Sequence, residues 1–457
     1  MASVQEARDG DGDDGRLGSH EPRARRALVF PLPFQGHIDP MLHLACVLHA
    51  RGLAVTVLHT RFNALDPALH PELQFVEVPD GTPADVAARG GIIDIILAMN
   101  AAMEASTAIR DVLASVLADE GRPRAACLFV DANLLAVHMA ATALGLPTLV
   151  LRTGSAACLG CFLAYPLLHD KGYLPPKESE LYMPVPELPP LRVKDLIFSK
   201  HSNHEKVRRV LARATETVRN CSGLVINTFE ALEPAEMQRI RGELDLPVVL
   251  AAGPLHRLSS KSTGSNLLAP DYSCLRWLDT QPAGSVLYVS FGSLASMDID
   301  EFLEVAWGLA DRGQPFLWVV RPKQVGDCES VQLPDGFEDA QDVLAHPAVG
   351  GFWTHSGWNS TLEGLSEGIP MICRPHAIDQ MTNTRYVQDV WGVGIELDGE
   401  LERGNIKNAI KKLMDQREGA QIRERARKLS RKVADCMESS GSSQTAIDKL
   451  VNYILSL

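Results

Sequence analysis

Short apolar runs alternate with helical-period stripes along almost the whole chain. The run Ala27-Leu-Val-Phe30 reads as a buried strand and enters a Pro/Gly turn ending at His37. Asp39 then reads as an N-cap with Pro40 at the first helical position. Met41, Leu44, Ala45 and Leu48 repeat at helical spacing, and Gly52 marks the stop. Residues 53–58 predict the next strand. Strand, helix, strand is a βαβ unit, which requires parallel pairing.

The alternation continues with a helical region at 101–117, a strand at 126–130, a helix near 134–144 and a strand at 148–151. Strands at 224–227 and 247–250 close the first half. Pro-rich residues 165–190 predict a surface excursion of the kind that borders clefts. A Ser/Lys/Gly/Asn-rich stretch at 256–271 reads as a linker, after which the rhythm restarts with a strand at 285–290 and a helix at 299–310. Further strands are predicted at 316–320, 350–354 and 371–373. The expected fold is α/β, with two Rossmann-like doubly wound domains facing a cleft. The divisions are a disordered tail at 1–26, a first domain at 27–250, a linker at 251–271, a second domain at 272–440 and a C-terminal helix at 441–457.

Composition narrows the function. A chain of 457 residues is too long for one ordinary core. Its formal charge of −13 argues against a nucleic-acid surface, which needs a basic patch. Nine cysteines show no disulfide framework, so a reduced, cytoplasmic protein is expected. Cys158-x-x-Cys161 stands alone and reads as buried small residues before it reads as a metal or redox pair. The start of the chain lacks the apolar core of a signal peptide. No apolar run reaches 18 residues, so membrane insertion is not expected.

In open parallel sheets ligands sit beyond the carboxyl ends of the strands. His37 follows the first strand, and Asp131 follows the strand at 126–130. A carboxylate fixes the tautomer of a histidine and stabilises its imidazolium, which suits a general base acting on a hydroxyl. A turn histidine and a capping aspartate give the same pattern without catalysis.

The second constellation lies between Gly350 and Gln380. A strand ends near Thr354, the polar turn His355-Ser-Gly-Trp-Asn-Ser360 follows, and a helix begins. Unpaired N–H groups and the positive dipole end make helix N-termini phosphate sites. His355, Asn359 and Ser360 add donors, Gly357 permits close approach, and Glu363 could accept from ribose hydroxyls. Asp379 and Gln380 follow another strand and could meet sugar hydroxyls. The alternative is a Ser/Asn-capped helix with no ligand.

Residues 343–380 closely resemble the signature box of plant family-1 UDP-glycosyltransferases, and the resemblance extends over nearly the whole chain. Phe34-Gln-Gly-His37 resembles that family's catalytic turn, Asp131 falls where its partner aspartate sits, and Val289-Ser-Phe-Gly-Ser293 resembles its second-domain opening. His59-Thr-Arg-Phe-Asn63 is similar to the branch that contains grass benzoxazinoid glucosyltransferases. The resemblance implies a GT-B fold and inverting transfer of glucose from UDP-glucose to a small plant secondary metabolite, with no required metal or other cofactor. It implies that His37 deprotonates the acceptor and that Asp131 balances its charge. His355, Asn359, Ser360 and Ser293 would hold the diphosphate, with Glu363 on the ribose. Trp358, Asp379 and Gln380 would meet the sugar, while Gln35 and Thr153 would lie near sugar or acceptor. Preorganised amides facing the departing UDP fit such a mechanism. Asp298-Ile-Asp300, an Asp-x-Asp sequence beyond the N-terminal tail, precedes a helix and reads as its cap. No G-x-G-x-x-G follows a predicted strand, which excludes a nicotinamide dehydrogenase.

The chain departs from the family at one place. The box opens Trp-Ala-Pro-Gln in the family, whereas Phe337-Glu-Asp-Ala340 stands here, and a block looks removed between Ala340 and Gln341. By resemblance that block carries a strand, a uracil-stacking Trp and a ribose- or base-binding Gln. Stacking is worth on the order of 1–3 kcal/mol, so an impaired protein that binds ligand weakly is the alternative expectation. Loss of a central strand would also strain the sheet.

Overall fold

The computed structural model describes residues 25–197, 203–259, 273–292, 297–320, 343–415 and 417–457. Ser293, the junction between Ala340 and Gln341, nearly all of the predicted tail and most of the predicted linker lie outside those residues.

Seven strands form the first sheet: β1 (Arg26–Phe30), β2 (Ala54–Thr60), β3 (Gln74–Val78), β4 (Ala125–Asp131), β5 (Thr148–Arg152), β6 (Gly223–Ile226) and β7 (Val249–Ala251). All pair in parallel in the order β3-β2-β1-β4-β5-β6-β7. The order reverses between β1 and β4, which makes their carboxyl ends the switch point where such sheets bind ligands. The strands alternate with helices because their apolar residues fill both faces: Leu28 and Phe30 enter one core, Ala27 and Val29 the other.

The second sheet contains β8 (Val286–Ser290), β9 (Phe316–Val319), β10 (Val349–Thr354), β11 (Met371–Cys373) and β12 (Gly394–Glu396), in the order β12-β11-β10-β8-β9. Its switch point falls between β8 and β10, where Ser290 pairs with Thr354. The expected loss of a strand falls outside the described residues, and only its central position is corrected here. The β8–β10 ladder runs continuously from Val349 to Thr354 apart from one register shift. Among the described residues β9 is an edge strand, so a strand beyond it would sit at the edge.

One core in each domain borrows residues across the domain boundary. Phe229 and Leu232, which follow β6, complete the core around Phe352 and Trp358. The C-terminal helix Ser442–Ser456 returns to the first sheet and inserts Ala446, Ile447, Leu450 and Ile454 beneath it.

Several local expectations change. The first helix starts at Gln35, so Pro40 lies inside it and Asp39 is not its cap. The 101–117 region is two helices, Ile92–Ala105 and Ala108–Leu117, bent by 70°. Residues 165–190 are no simple surface excursion: the helix Ala156–Asp170 continues into them, and Leu174, Val185 and Leu188 are buried. Cys158 and Cys161 lie on that helix as free buried thiols, which burial pushes up, Cys161 to about 11. Such thiols are not nucleophiles at neutral pH. Asp298 does cap the helix Ile299–Ala310, accepting from the Glu301 amide at 2.8 Å. No single helix among the described residues is long and apolar enough to cross a membrane.

Candidate active site

β1 and β4 are neighbours in register, with Phe30 opposite Val130. Their carboxyl ends therefore bring together two residues 94 positions apart. His37 Nδ1 lies 2.7 Å from Asp131 Oδ2. Asp131 is almost fully buried, and its other oxygen accepts from the Asn133 amide and side chain, each at 2.9 Å. Burial opposes its charge, yet His37, the Asn133 amide and Arg152 hold its carboxyl below the ordinary value. An ionised Asp131 can only accept, so it holds the proton on His37 Nδ1 and leaves Nε2 as the basic nitrogen. Thr153, at the end of β5, places its hydroxyl 3.1 Å from the same Nδ1.

The second sheet supplies the facing wall. The helix Trp358–Glu367 has Gly357 as N-cap and no side-chain cap. Its first intrahelical bond runs from the Thr361 amide to Gly357 O. The amides of Trp358, Asn359 and Ser360 therefore lack intrahelical acceptors and give a ready anion site. This differs from the Ser/Asn-capped alternative. His355 lies just before this helix, and its ring occupies the space a side chain would need at two glycines. A Cβ on Gly292 would stand 2.5 Å from the ring, and one on Gly357 2.4 Å. Gly292 also has φ +71°, which disfavours other residues. Gly357 thus makes room for His355 itself.

The two walls touch. Asn359 Nδ2 donates to Gly36 O at 3.2 Å, one residue before His37. That carbonyl is available because Pro40, four residues on, has no N–H to give it. Beside this contact, Asn383 Nδ2 donates to Ser356 O and to Asp379 Oδ2, and Asn383 Oδ1 accepts from the Ser155 hydroxyl at 3.0 Å.

Asp379 and Gln380 open the helix Asp379–Arg385, preceded by Ile378 at φ 60°. A β-branched residue there is strained, by about 1–3 kcal/mol. Burial pushes the Asp379 carboxyl up, countered by Arg152, Asn383 and His37. Residues of both domains thus share one electrostatic site. Gln380 Oε1 accepts from the His376 and Ala377 amides at 2.7 and 3.1 Å, which fixes the turn and leaves its amide nitrogen for a ligand.

One predicted site residue is placed differently. Trp358 is buried in the second core, and its indole N–H donates to Asn227 O at 2.7 Å. Only its backbone amide remains for a sugar or phosphate. Gln35 begins the first helix, and Ser360 and Glu363 sit partly exposed on the Trp358 helix. Asn227, Asn383 and Gly292 were missed by sequence reasoning. Asn227 and Gly292 each stand one or two positions past a strand, and that rule could have found them.

The chain is similar to known proteins. The family model described as UDP-glucoronosyl and UDP-glucosyl transferase matches residues 227–435. The DIMBOA UDP-glucosyltransferase BX9 of Zea mays is 46% identical, over 94% of this chain and 97% of its own. Among solved structures, Os79 from O. sativa in complex with UDP is 27% identical with a TM-score of 0.79, covering 94% of this chain and 100% of that one. Phytolacca americana UGT2, complexed with UDP-2fluoro-glucose and pterostilbene, is 27% identical with a TM-score of 0.78, over the same shares. The chain belongs to the UDP-glycosyltransferase family and is a glycosyltransferase of GT-B fold. The similarity falls in the benzoxazinoid branch suggested by the residues. Nothing in these similarities supports the impaired alternative.

Proposed function

We propose that this enzyme transfers glucose from UDP-glucose, with inversion, to a hydroxyl of a small plant secondary metabolite in the cytosol. His37 Nε2 takes the acceptor proton as the oxygen attacks the anomeric carbon, and Asp131 stabilises the imidazolium that forms. The bond from the anomeric carbon to the diphosphate breaks with its electron pair on UDP. The uncapped amides of the Trp358 helix, His355 and Ser360 meet the charge that develops there. Ser293 joins the diphosphate set, Glu363 takes the ribose, and Asp379 with the Gln380 amide nitrogen holds the sugar. Gln35 and Thr153 border the acceptor.

One observation carries this reading: the 2.7 Å contact between His37 and Asp131, with the uncapped helix tethered one residue away through Asn359 and Gly36. The resemblance to benzoxazinoid glucosyltransferases favours phenolic and hydroxamic acceptors. Incubating the chain with UDP-glucose and a panel of both tests it. A β-glucoside by NMR is the expected product; an α-glucoside, or no product from any acceptor, contradicts the reading.

A further inference from the structure

On the far side of the first helix from the cleft, three side chains from separate segments converge. Cys46 comes from the helix Gln35–Ala50, nine residues beyond His37 and so about 13 Å along its axis. His70 and Glu72 come from the connection between β2 and β3, where His70 ends the short turn Pro67–Leu69. The ligand atoms of the three all lie within 4.8 Å of one another. Cys46 Sγ is 3.8 Å from His70 Nδ1, and His70 Nδ1 is 3.7 Å from Glu72 Oε1.

The 3.7 Å separation is too long for an N–H···O hydrogen bond, while the 3.8 Å contact fits a weak bond between the Cys46 thiol and His70 Nδ1. Ligands around a tetrahedral zinc ion, with Zn–N near 2.1 Å and Zn–S near 2.3 Å, stand roughly 3.4–3.6 Å apart. The two edges at His70 exceed that range by tenths of an ångström, and the third, between Cys46 and Glu72, lies within 4.8 Å. His70 is 2% exposed, while Cys46 and Glu72 are partly exposed.

His43, three residues before Cys46 on the same helix, is 8% exposed and stands outside the group whose ligand atoms come within 4.8 Å of one another.

We infer that Cys46, His70 and Glu72 form a binding site for a borderline-soft divalent cation such as Zn²⁺, with the fourth position taken by water. Sulfur, nitrogen and carboxylate donors together suit zinc over magnesium or calcium, which prefer all-oxygen shells. On binding, the Cys46 thiol gives its proton to solvent and ligates as thiolate. The ion ties the β2–β3 connection to the first helix. It stands away from the His37 cleft, so its role is structural and transfer does not depend on it.

The test uses the full chain, stripped by chelator and then titrated with Zn²⁺ and with Co²⁺. One ion per chain is expected, with a thiolate-to-cobalt charge-transfer band and a Tm raised by the metal. Cys46→Ser and His70→Ala should each weaken binding at least 100-fold, and Cys46→Ser should abolish the band. Should either variant fold poorly, the Co²⁺ spectrum of the unmodified chain still decides. Absence of stoichiometric binding, a cobalt spectrum without the thiolate band, or unchanged affinity in both variants overturns the proposal.

Discussion

Asn359 donates its side-chain amide to the carbonyl of Gly36, across the cleft and one residue from His37. The bond exists because Pro40 leaves that carbonyl without its helical donor. A neutral, solvent-accessible hydrogen bond is worth about 1 kcal/mol, so Asn359→Ala should lower kcat/KM at least several-fold. In Pro40→Ala the new amide can donate to Gly36, and the Asn359→Ala loss should shrink. A double-mutant cycle reads this coupling apart from any contact Asn359 makes with the donor. Strict additivity would contradict it.

Removing the carboxylate partner should act through the tautomer of His37. Asp131→Asn can donate to Nδ1 and so move the proton to Nε2. The expected loss in kcat is on the order of 10²–10⁴, the range of general-base catalysis. The His37→Ala/Asp131→Asn pair should cost little more than either change alone, because the two act as a unit. Steady-state kinetics of the three variants check this.

Trp358 sets a stability prediction rather than a catalytic one. Trp358→Phe deletes the donor to Asn227 O and leaves a buried carbonyl unsatisfied. A loss of about 1–3 kcal/mol is expected, readable by urea denaturation. Donor affinity should stay within about twofold if only the backbone of residue 358 faces the ligand.

Glu233 gives stability a pH dependence. It is fully buried and accepts from the Ala156 and Ala157 amides and the Thr228 hydroxyl. Burial nevertheless pushes its carboxyl up to about 7 from an ordinary 4.5. The folded value exceeds the unfolded one, so the protonated group's contribution is complete below pH 4.5 and is lost as pH rises through 7. Asp131, held low, behaves oppositely: its contribution is present above its ordinary value of 3.8 and is lost as pH falls through its lowered folded value. Between pH 5 and 8 the chain should therefore lose stability relative to Glu233→Gln. A constant difference across that window would contradict this.

The legible part of the fold was the part written by apolar runs. β1, β5, β8 and β11 are buried throughout and β4 in all but its first residue, and the His37–Asp131 pair comes from the turn region after β1 and the last residue of β4. β3, with partly exposed Gln74 and Glu77, and the three-residue β12 carry too little apolar pattern to be read. Pro40 misplaced the helix start because proline commonly marks a first turn. Here its missing N–H serves a contact with another domain, which no local rule encodes. Trp358 looked ligand-facing for the same reason: one sequence shows residue types but not which face a helix turns toward the core. Nothing local in Phe229-Glu-Ala-Leu-Glu233 marks Glu233 as buried, and only tertiary packing places it over the amides of Ala156 and Ala157.

The central claim is that His37 is the base while the Trp358 helix holds the diphosphate. Measuring UDP affinity by calorimetry alongside kcat for the unmodified chain and His37→Ala separates the two roles. The account predicts measurable UDP binding in both, within about twofold, and a kcat loss of at least roughly 10² in the variant. Undetectable UDP binding by the unmodified chain, or a His37→Ala enzyme that turns over normally, would contradict it.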